Sequence, residues 1–263
     1  MHFDGIASPL SQRALEFTAA TLHADPPAIW AVLSVETSGT GFLPDRRVKI
    51  LFERHVFHRQ TGGRFDAQAP DLSQATAGGY GAPGPWQHER LARAMKLDPQ
   101  AALRSASWGL GQVMGFNAQF VGYGSAAEMV EAFRDSEDQQ LGAMMAYVRN
   151  AHLGAALGAH EWAAFAHGYN GASFQKNGYD TKLAQFHARY RVGPMPNLLV
   201  RWTQMALTFL RVPGVGSVDG WYGDLTQQAL LRFQGDAGIP LTGVPDAQTV
   251  QQLANGLGWT SPL

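Results

Sequence analysis

Residues 28–39 read Ala28-Ile29-Trp30-Ala31-Val32-Leu33-Ser34-Val35-Glu36-Thr37-Ser38-Gly39, an apolar run that ends in a single acid. Asp25 followed by two prolines is typical of a helix start, and the glycines at 39 and 41 are typical of its end. Glu36 is therefore predicted to lie in the last helical turn, where the helix dipole opposes negative charge. Apolar residues three, four and seven positions earlier place it on the buried stripe of the same helix.

Both effects predict that the pKa of Glu36 is raised. A carboxyl group that stays protonated near neutral pH can donate a proton to the leaving oxygen of a glycosidic bond. The alternative interpretation is an ordinary amphipathic helix in which the Glu36 carboxylate reaches water. Other segments of the sequence are needed to choose between a general acid and a solvent-exposed carboxylate.

Two later segments favour the chemical interpretation. They read Ser105-Ala106-Ser107-Trp108-Gly109-Leu110-Gly111-Gln112-Val113-Met114-Gly115 and Ala164-Phe165-Ala166-His167-Gly168-Tyr169-Asn170-Gly171. An acid-ending helix, then a Gly-Leu-x-Gln-Val-Met segment, then a Tyr-Asn-Gly segment resembles the superfamily of goose-type lysozymes and lytic transglycosylases. The match is partial at each step, so the order of the segments carries the resemblance.

A closer resemblance rests on Val35–Phe42, Ile50–His55 and Ser105–Gln112 together. These segments look like the phage-type N-acetylmuramidase family of endolysins, over roughly residues 20–190. The resemblance implies a mainly α-helical, lysozyme-like domain with a small β element. It also implies hydrolysis of the β-1,4 bond between N-acetylmuramic acid and N-acetylglucosamine in peptidoglycan, with Glu36 as general acid and no metal or cofactor.

A second domain is predicted beyond Val192-Gly193-Pro194-Met195-Pro196-Asn197, where prolines and a glycine interrupt the helical pattern. We expect a catalytic domain over 1–192 and a second domain over 197–258. Apolar residues at helical spacing predict three helices with a small core of their own in the second domain. Its segment Val218–Thr226 strongly resembles the peptidoglycan-binding type 1 domain, over about residues 197–256.

Within that segment, Asp219, Trp221 and Tyr222 are candidate wall-binding residues. Aromatic side chains beside a glycine turn can present a flat apolar surface and a polar tip to a glycopeptide. The alternative is that both aromatics belong to the core or to the turn.

The candidate second carboxylate is Glu53. Residues Val48 to Phe57 alternate as in a strand, which predicts that Leu51, Glu53, His55 and Phe57 share one face. Glu53 is then a candidate to activate water, with His55 beside it. The alternative is a structural pair between Glu53 and either His55 or its neighbour Arg54.

Other candidates are polar residues suited to hold a sugar or a water molecule. The amide of Gln112 can both donate and accept hydrogen bonds, and Tyr169 and Asn170 are expected to act similarly. Asp45 is a weaker candidate, because Pro44-Asp45-Arg46 reads as an ordinary turn. Trp108 is predicted to lie in the core, and residues 61–88 are predicted to form a long irregular loop.

Composition and short motifs argue against several classes of binding and catalytic site. The net charge of −1 gives no basic footprint for nucleic acid, and the absence of cysteine excludes disulfides and thiolate nucleophiles. His88-Glu89 and His160-Glu161 lack a second histidine at zinc-protease spacing, so no catalytic zinc is expected. The N-terminus lacks a signal-peptide pattern, which predicts a protein made in the cytoplasm that needs another factor to reach the cell wall. A monomer without a membrane anchor is also expected.

Two alternatives stay open at the level of sequence. A lytic transglycosylase would use the same acid but let the muramic 6-hydroxyl replace water, giving 1,6-anhydromuramic products. A wall-binding or tail-associated structural protein would have the same fold with an inactive cleft. Peptidoglycan is the expected partner in every case.

Overall fold

A computed structural model describes residues 2–37, 39–172 and 174–263. This part of the chain is mainly helical. Its α-helices are α1 Gln12–Leu22, α2 Pro26–Glu36, α3 Arg54–Thr61, α4 Pro85–Leu97, α5 Pro99–Arg104, α6 Ala126–Asp135, α7 Glu137–Asn150, α8 Gly154–Gly158, α9 Trp162–Asn170, α10 Tyr179–Val192, α11 Leu198–Phe209, α12 Asp224–Asp236 and α13 Ala247–Leu257. Short 3₁₀ helices cover Gly115–Asn117 and Phe174–Asn177.

Helix α2 forms where the sequence predicts it. The Asp25 carboxylate accepts a hydrogen bond from the backbone N–H of Ala28 at 2.9 Å, and proline occupies the first turn, where its missing N–H costs nothing. Ala28 to Leu33 are all buried, so α2 runs through the core and helix α10 packs along it. Glu36 is its last residue, as predicted, and Thr37 leaves in an extended conformation.

The small β element is an antiparallel sheet of β1 Ile50–Phe52, β2 Ala106–Trp108 and β3 Val113–Met114, in that order. Ile50 faces Trp108 across the first pair, and Trp108 is fully buried, which confirms it as a core residue.

The predicted strand over Val48 to Phe57 is wrong beyond Phe52. The carbonyl of Glu53 accepts hydrogen bonds from the N–H groups of Val56 and Phe57, both at 3.0 Å, and so begins α3. Val56, Phe57 and Thr61 are the buried side chains of that helix. Glu53 and His55 therefore do not share a strand face. The predicted loop over 61–88 is also too long, because Pro85 already opens α4.

Helices α11, α12 and α13 confirm the helical character of the C-terminal region, which is described in full. Their core is not separate from that of the preceding region. One cluster of buried residues joins Phe42, Val48 and Phe133 to Met205, Phe209 and Trp259. The prediction of an independent small core is therefore wrong, because the inner face of α11 packs against residues before 150.

Polar contacts support the same junction. The carboxylate of Glu137 accepts hydrogen bonds from the guanidinium of Arg201 on α11, and both side chains are buried. The indole N–H of Trp259 donates to the carbonyl of Ile6 at 2.9 Å. The division into domains at 1–192 and 197–258 stays a prediction, but the two parts are packed together. Across the described chain, the helices are too short or too polar to cross a membrane.

Candidate active site

Glu36 lies half-buried at the end of α2, facing the end of α9. The side-chain N–H of Asn170, the last residue of α9, donates to Glu36 Oε1 at 3.0 Å. Burial raises the pKa of Glu36, and the hydrogen bond from Asn170 opposes that rise without cancelling it. The structure thus provides an acid that holds its proton to a higher pH than an exposed glutamate.

Two tyrosines are close enough to feel the charge of Glu36. Burial, followed by the charge of Glu36, raises the pKa of Tyr169 well above its ordinary value, and the same two causes raise the pKa of Tyr179. Both phenols are therefore neutral donors near the acid. The Tyr169 O–H donates to the carbonyl of Gly111 at 3.1 Å, which ties α9 to the segment between β2 and β3.

Tyr179 is a site residue that sequence reasoning missed. It opens α10 directly after a glycine and belongs to none of the motifs. Its place beside Glu36 follows from the packing of α10 along α2, which no local pattern reveals.

Asn170 offers an open hydrogen-bond acceptor at the site. Its Oδ1 atom is buried and has no hydrogen-bond partner among the described residues. A buried amide oxygen normally has a partner, so this atom marks a position for a water molecule or a substrate N–H or O–H group.

Gln112 lies near these residues, but its side chain hydrogen-bonds within its own turn. Its amide N–H donates to the carbonyl of Gly109 at 2.8 Å, and its carbonyl oxygen accepts from the Ser107 hydroxyl at 2.9 Å. Its φ of 47° lies in the left-handed region, which these bonds hold in place. Gln112 therefore shapes the β2–β3 turn, beside the carbonyl that receives Tyr169.

Glu53 forms a separate pair at the start of α3. His55 Nδ1 lies 3.4 Å from Glu53 Oε2. Burial raises the pKa of Glu53, and the positive charges of His55 and Arg59 oppose the rise. Strand β1, which pairs with β2, ends just before Glu53.

Asp45 is occupied in its own turn. Its carboxylate accepts hydrogen bonds from the Arg47 guanidinium at 2.8 Å and from the Arg47 backbone N–H at 3.2 Å. The structure thus brings together Glu36, Tyr169 and Asn170, with Gln112 alongside, and places Glu53 with His55 and Asp45 with Arg47.

The three candidates in the C-terminal region have different surroundings. Asp219 accepts hydrogen bonds from the side chain of Gln204 and from the N–H of Trp221, so it builds the turn. The ring of Trp221 lies 4.7 Å from the Arg189 guanidinium, against α10. Tyr222 is exposed, with its hydroxyl donating to the carbonyl of Gly243 at 2.6 Å.

Comparisons with known proteins identify families for both parts of the chain. The N-acetylmuramidase family model matches residues 25–191, and the peptidoglycan binding domain model matches residues 197–253. Among solved structures, the chain is similar to the crystal structure of Burkholderia AP3 phage endolysin. The two share 38% identity and a TM-score of 0.65, over 69% of this chain and 70% of that chain. A search of curated proteins finds no match.

Proposed function

Because the chain belongs to the N-acetylmuramidase family, we propose that it is an endolysin that hydrolyses the β-1,4 bond between N-acetylmuramic acid and N-acetylglucosamine in peptidoglycan. The observation that carries the proposal is Glu36, a half-buried acid with a raised pKa at the end of an apolar helix. The similarity to a phage endolysin supports the biological setting.

In the proposed mechanism, Glu36 donates its proton to the glycosidic oxygen as the bond to the muramic acid breaks. Positive charge then develops on the sugar ring. The carboxylate left behind keeps the hydrogen bond from Asn170, and Tyr169 and Tyr179 stay neutral beside it. Asn170 Oδ1 is the acceptor that we assign to a sugar or water hydroxyl.

Glu53 is the proposed water activator. A carboxylate with a raised pKa is a stronger base, which suits it to take a proton from water once it is ionised. His55, 3.4 Å away, stabilises the ionised form when it is itself protonated.

The general-acid role is tested by Glu36→Gln, which keeps the shape but has no proton to donate. We expect turbidity clearance of purified wall to fall by about 10² to 10⁴ in rate, the typical value of general acid catalysis. Glu16→Gln on α1 is the matched control, because Glu16 is exposed. A folded Glu36→Gln protein that clears walls at the wild-type rate would show that another group is the acid.

A lytic transglycosylase is the second candidate, and one observation favours it. Within residues 2–37, 39–172 and 174–263, the groups shown to hydrogen-bond Glu36 or to feel its charge are an amide and two phenols, whereas the carboxylate of Glu53 pairs with His55. A reaction that needs no water activator is compatible with such a site. Mass spectrometry separates the two, since hydrolysis gives borohydride-reducible muramic acid and the alternative gives 1,6-anhydromuramic acid.

Glu53→Gln adds a second test on the same products. If Glu53 activates water, we expect this variant to lose most of its rate while still binding wall. An unchanged rate with reducible ends would keep hydrolysis and assign the water to another group, with Tyr169 and Asp45 the next to mutate.

We also propose that residues 197–258 bind the wall. The proposal rests on the family match and on four exposed apolar side chains in this region: Tyr222, Leu225, Leu241 and Val244. The test is wall sedimentation of Tyr222→Ser in a Glu36→Gln background, which leaves the wall intact. Phe17→Ser, at an exposed position on α1, is the control. Equal sedimentation of both variants and the parent would count against a role for Tyr222.

A further inference from the structure

Three ligand-type side chains converge at the opposite end of α2 from Glu36. They are Asp25, which caps α2, His160, in the turn between α8 and α9, and His187, on α10. His187 Nε2 lies 3.1 Å from Asp25 Oδ2, and His160 Nε2 lies 3.5 Å from Asp25 Oδ1. One ligand atom from each residue lies within 4.8 Å of the other two.

These distances fit a small tetrahedral cation. Zinc binds imidazole nitrogen and carboxylate oxygen at about 2.0–2.2 Å, so two ligands of a tetrahedral ion lie about 3.3 Å apart. The separations of 3.1 and 3.5 Å lie on either side of that value, but they end on the two different oxygens of Asp25. A single ion would therefore be bound by both carboxylate oxygens or by one after the carboxylate turns, and it would replace the hydrogen bond between His187 and Asp25. A cation can therefore enter with small side-chain adjustments.

Two features of His160 suit a metal ligand. Its Nε2 atom is buried and, within the described part of the chain, makes no hydrogen bond, although it lies 3.5 Å from an Asp25 oxygen. Its backbone has a φ of 59°, a left-handed conformation that is uncommon outside glycine. His160 therefore combines an uncommon backbone conformation with an unpartnered ring nitrogen close to the Asp25 carboxylate.

The surroundings fix the two rings and leave one side open. Trp162 lies beside both imidazoles, with ring centroids 5.4 Å from His160 and 5.1 Å from His187. His187 is buried, whereas the side chains of Asp25 and His160 are 37% and 35% exposed. A water molecule can therefore supply a fourth ligand from the solvent side.

We propose that Asp25, His160 and His187 bind a divalent transition-metal ion of the zinc class, with water as the fourth ligand. The site lies eleven residues from Glu36, roughly 16 Å along α2 at about 1.5 Å per residue, too far to take part in bond cleavage. Its role is structural: the ion joins the start of α2 to α10 and to the α8–α9 turn.

Histidine spacing in the sequence does not reveal a site of this kind. Zinc-protease spacing requires two histidines four residues apart on one helix. Here His160 and His187 are 27 residues apart and Asp25 lies 135 residues before His160, so the ligands meet only in the fold. The expectation of no catalytic zinc concerns the active site, and the proposed structural site does not test it.

The test is zinc binding by the metal-stripped full-length protein at neutral pH, measured by competition with a chromogenic chelator. We expect one equivalent of Zn²⁺ to bind, and Co²⁺ to give the visible absorption of a four-coordinate site. Asp25→Asn removes the charged ligand but keeps a good helix cap, and His160→Asn keeps a residue that tolerates the left-handed backbone. Each should weaken Zn²⁺ binding at least about tenfold.

His2→Gln is the matched control, because His2 is an exposed histidine outside the cluster. It should leave the affinity and the stoichiometry unchanged. Circular dichroism confirms that each variant is folded before its affinity is compared. Wild-type protein that takes up no Zn²⁺ would overturn the proposal and leave an Asp25–imidazole ion pair. Cluster variants that bind as tightly as the wild type would overturn it equally.

Discussion

Glu36 and Glu137 are two acids set into the same helical core, and their pKa values shift in opposite directions. Glu137 is fully buried, yet Arg201, with the hydrogen bonds from Gly41 and Thr40, outweighs the effect of burial and lowers its pKa. Glu36 is less buried, and among the described residues the hydrogen bond from Asn170 is what offsets burial, so its pKa is raised. Burial alone therefore does not decide which acid keeps its proton.

The position on the helix contributes to the same contrast. Glu137 is the first residue of α7, where the helix dipole favours a negative charge, whereas Glu36 is the last residue of α2, where the dipole opposes one. One acid is thus built to stay ionised and hold parts of the chain together. The other is built to keep a proton that it can give away.

The largest effect is expected from breaking the ionised pair. Arg201→Met leaves the buried Glu137 carboxylate without its counter-charge, which typically costs about 3–5 kcal/mol of unfolding free energy. Urea unfolding of the full-length protein measures the loss, with Arg13→Met at an exposed site on α1 as control.

A second variant sharpens this result. Pairing Arg201→Met with Glu137→Gln removes both charges of the pair but keeps a side-chain oxygen for buried donors such as the N–H of Gly41. It should recover part of the stability, because neither member of the pair is left charged. If Arg201→Met alone is as stable as the control, the pair does not hold the two parts of the chain together.

His88 is a third buried titratable group, and its pKa is also shifted by burial. Its Nε2–H group donates a hydrogen bond to the carbonyl of Val48 at 2.8 Å, and burial lowers its pKa from 6.5 to about 4. The unfolded chain therefore binds a proton at His88 before the folded chain does. Its contribution to stability is complete above pH 6.5 and falls by up to about 3 kcal/mol as the pH drops to about 4.

Denaturant titrations at several pH values measure this slope. His88→Gln should lower stability at neutral pH but flatten the dependence between pH 6.5 and about 4. His2→Gln, at an exposed position, should keep the wild-type slope. An unchanged slope in His88→Gln would assign the acid sensitivity to other groups.

The smallest effect is expected at Asn170. Its hydrogen bond stabilises the ionised form of Glu36, so Asn170→Leu should raise the pKa of the acid further. The alkaline limb of kcat/KM should then move to higher pH, even though the rate at the optimum falls. A limb that stays in place would mean that its pKa belongs to a group other than Glu36.

The sequence predicts the local parts of this molecule well. Asp25, the prolines and the apolar run identify α2 and place Glu36 at its end, because caps and periodicity act over a few residues. The strand over Val48 to Phe57 failed beyond Phe52, since a short alternating run fits a helix start equally well until packing decides.

Long-range pairs are the part that sequence does not predict. Arg201 and Glu137 are 64 residues apart, so no spacing rule connects them. The same limit hides Tyr179 beside Glu36 and the convergence of Asp25 with His160 and His187. The order of the three motifs predicted the family, but the shared core of the two parts appears only in the fold.

That shared core has a consequence for how a wall polymer would meet the enzyme. A binding module on a flexible tether only raises the local concentration of the catalytic site. Here Arg201, Trp221 and Trp259 anchor the C-terminal helices to the rest of the chain. We expect a glycan strand bound by those helices to approach Glu36 from one fixed direction. The spacing between successive cuts would then reflect the dimensions of the protein rather than the reach of a linker.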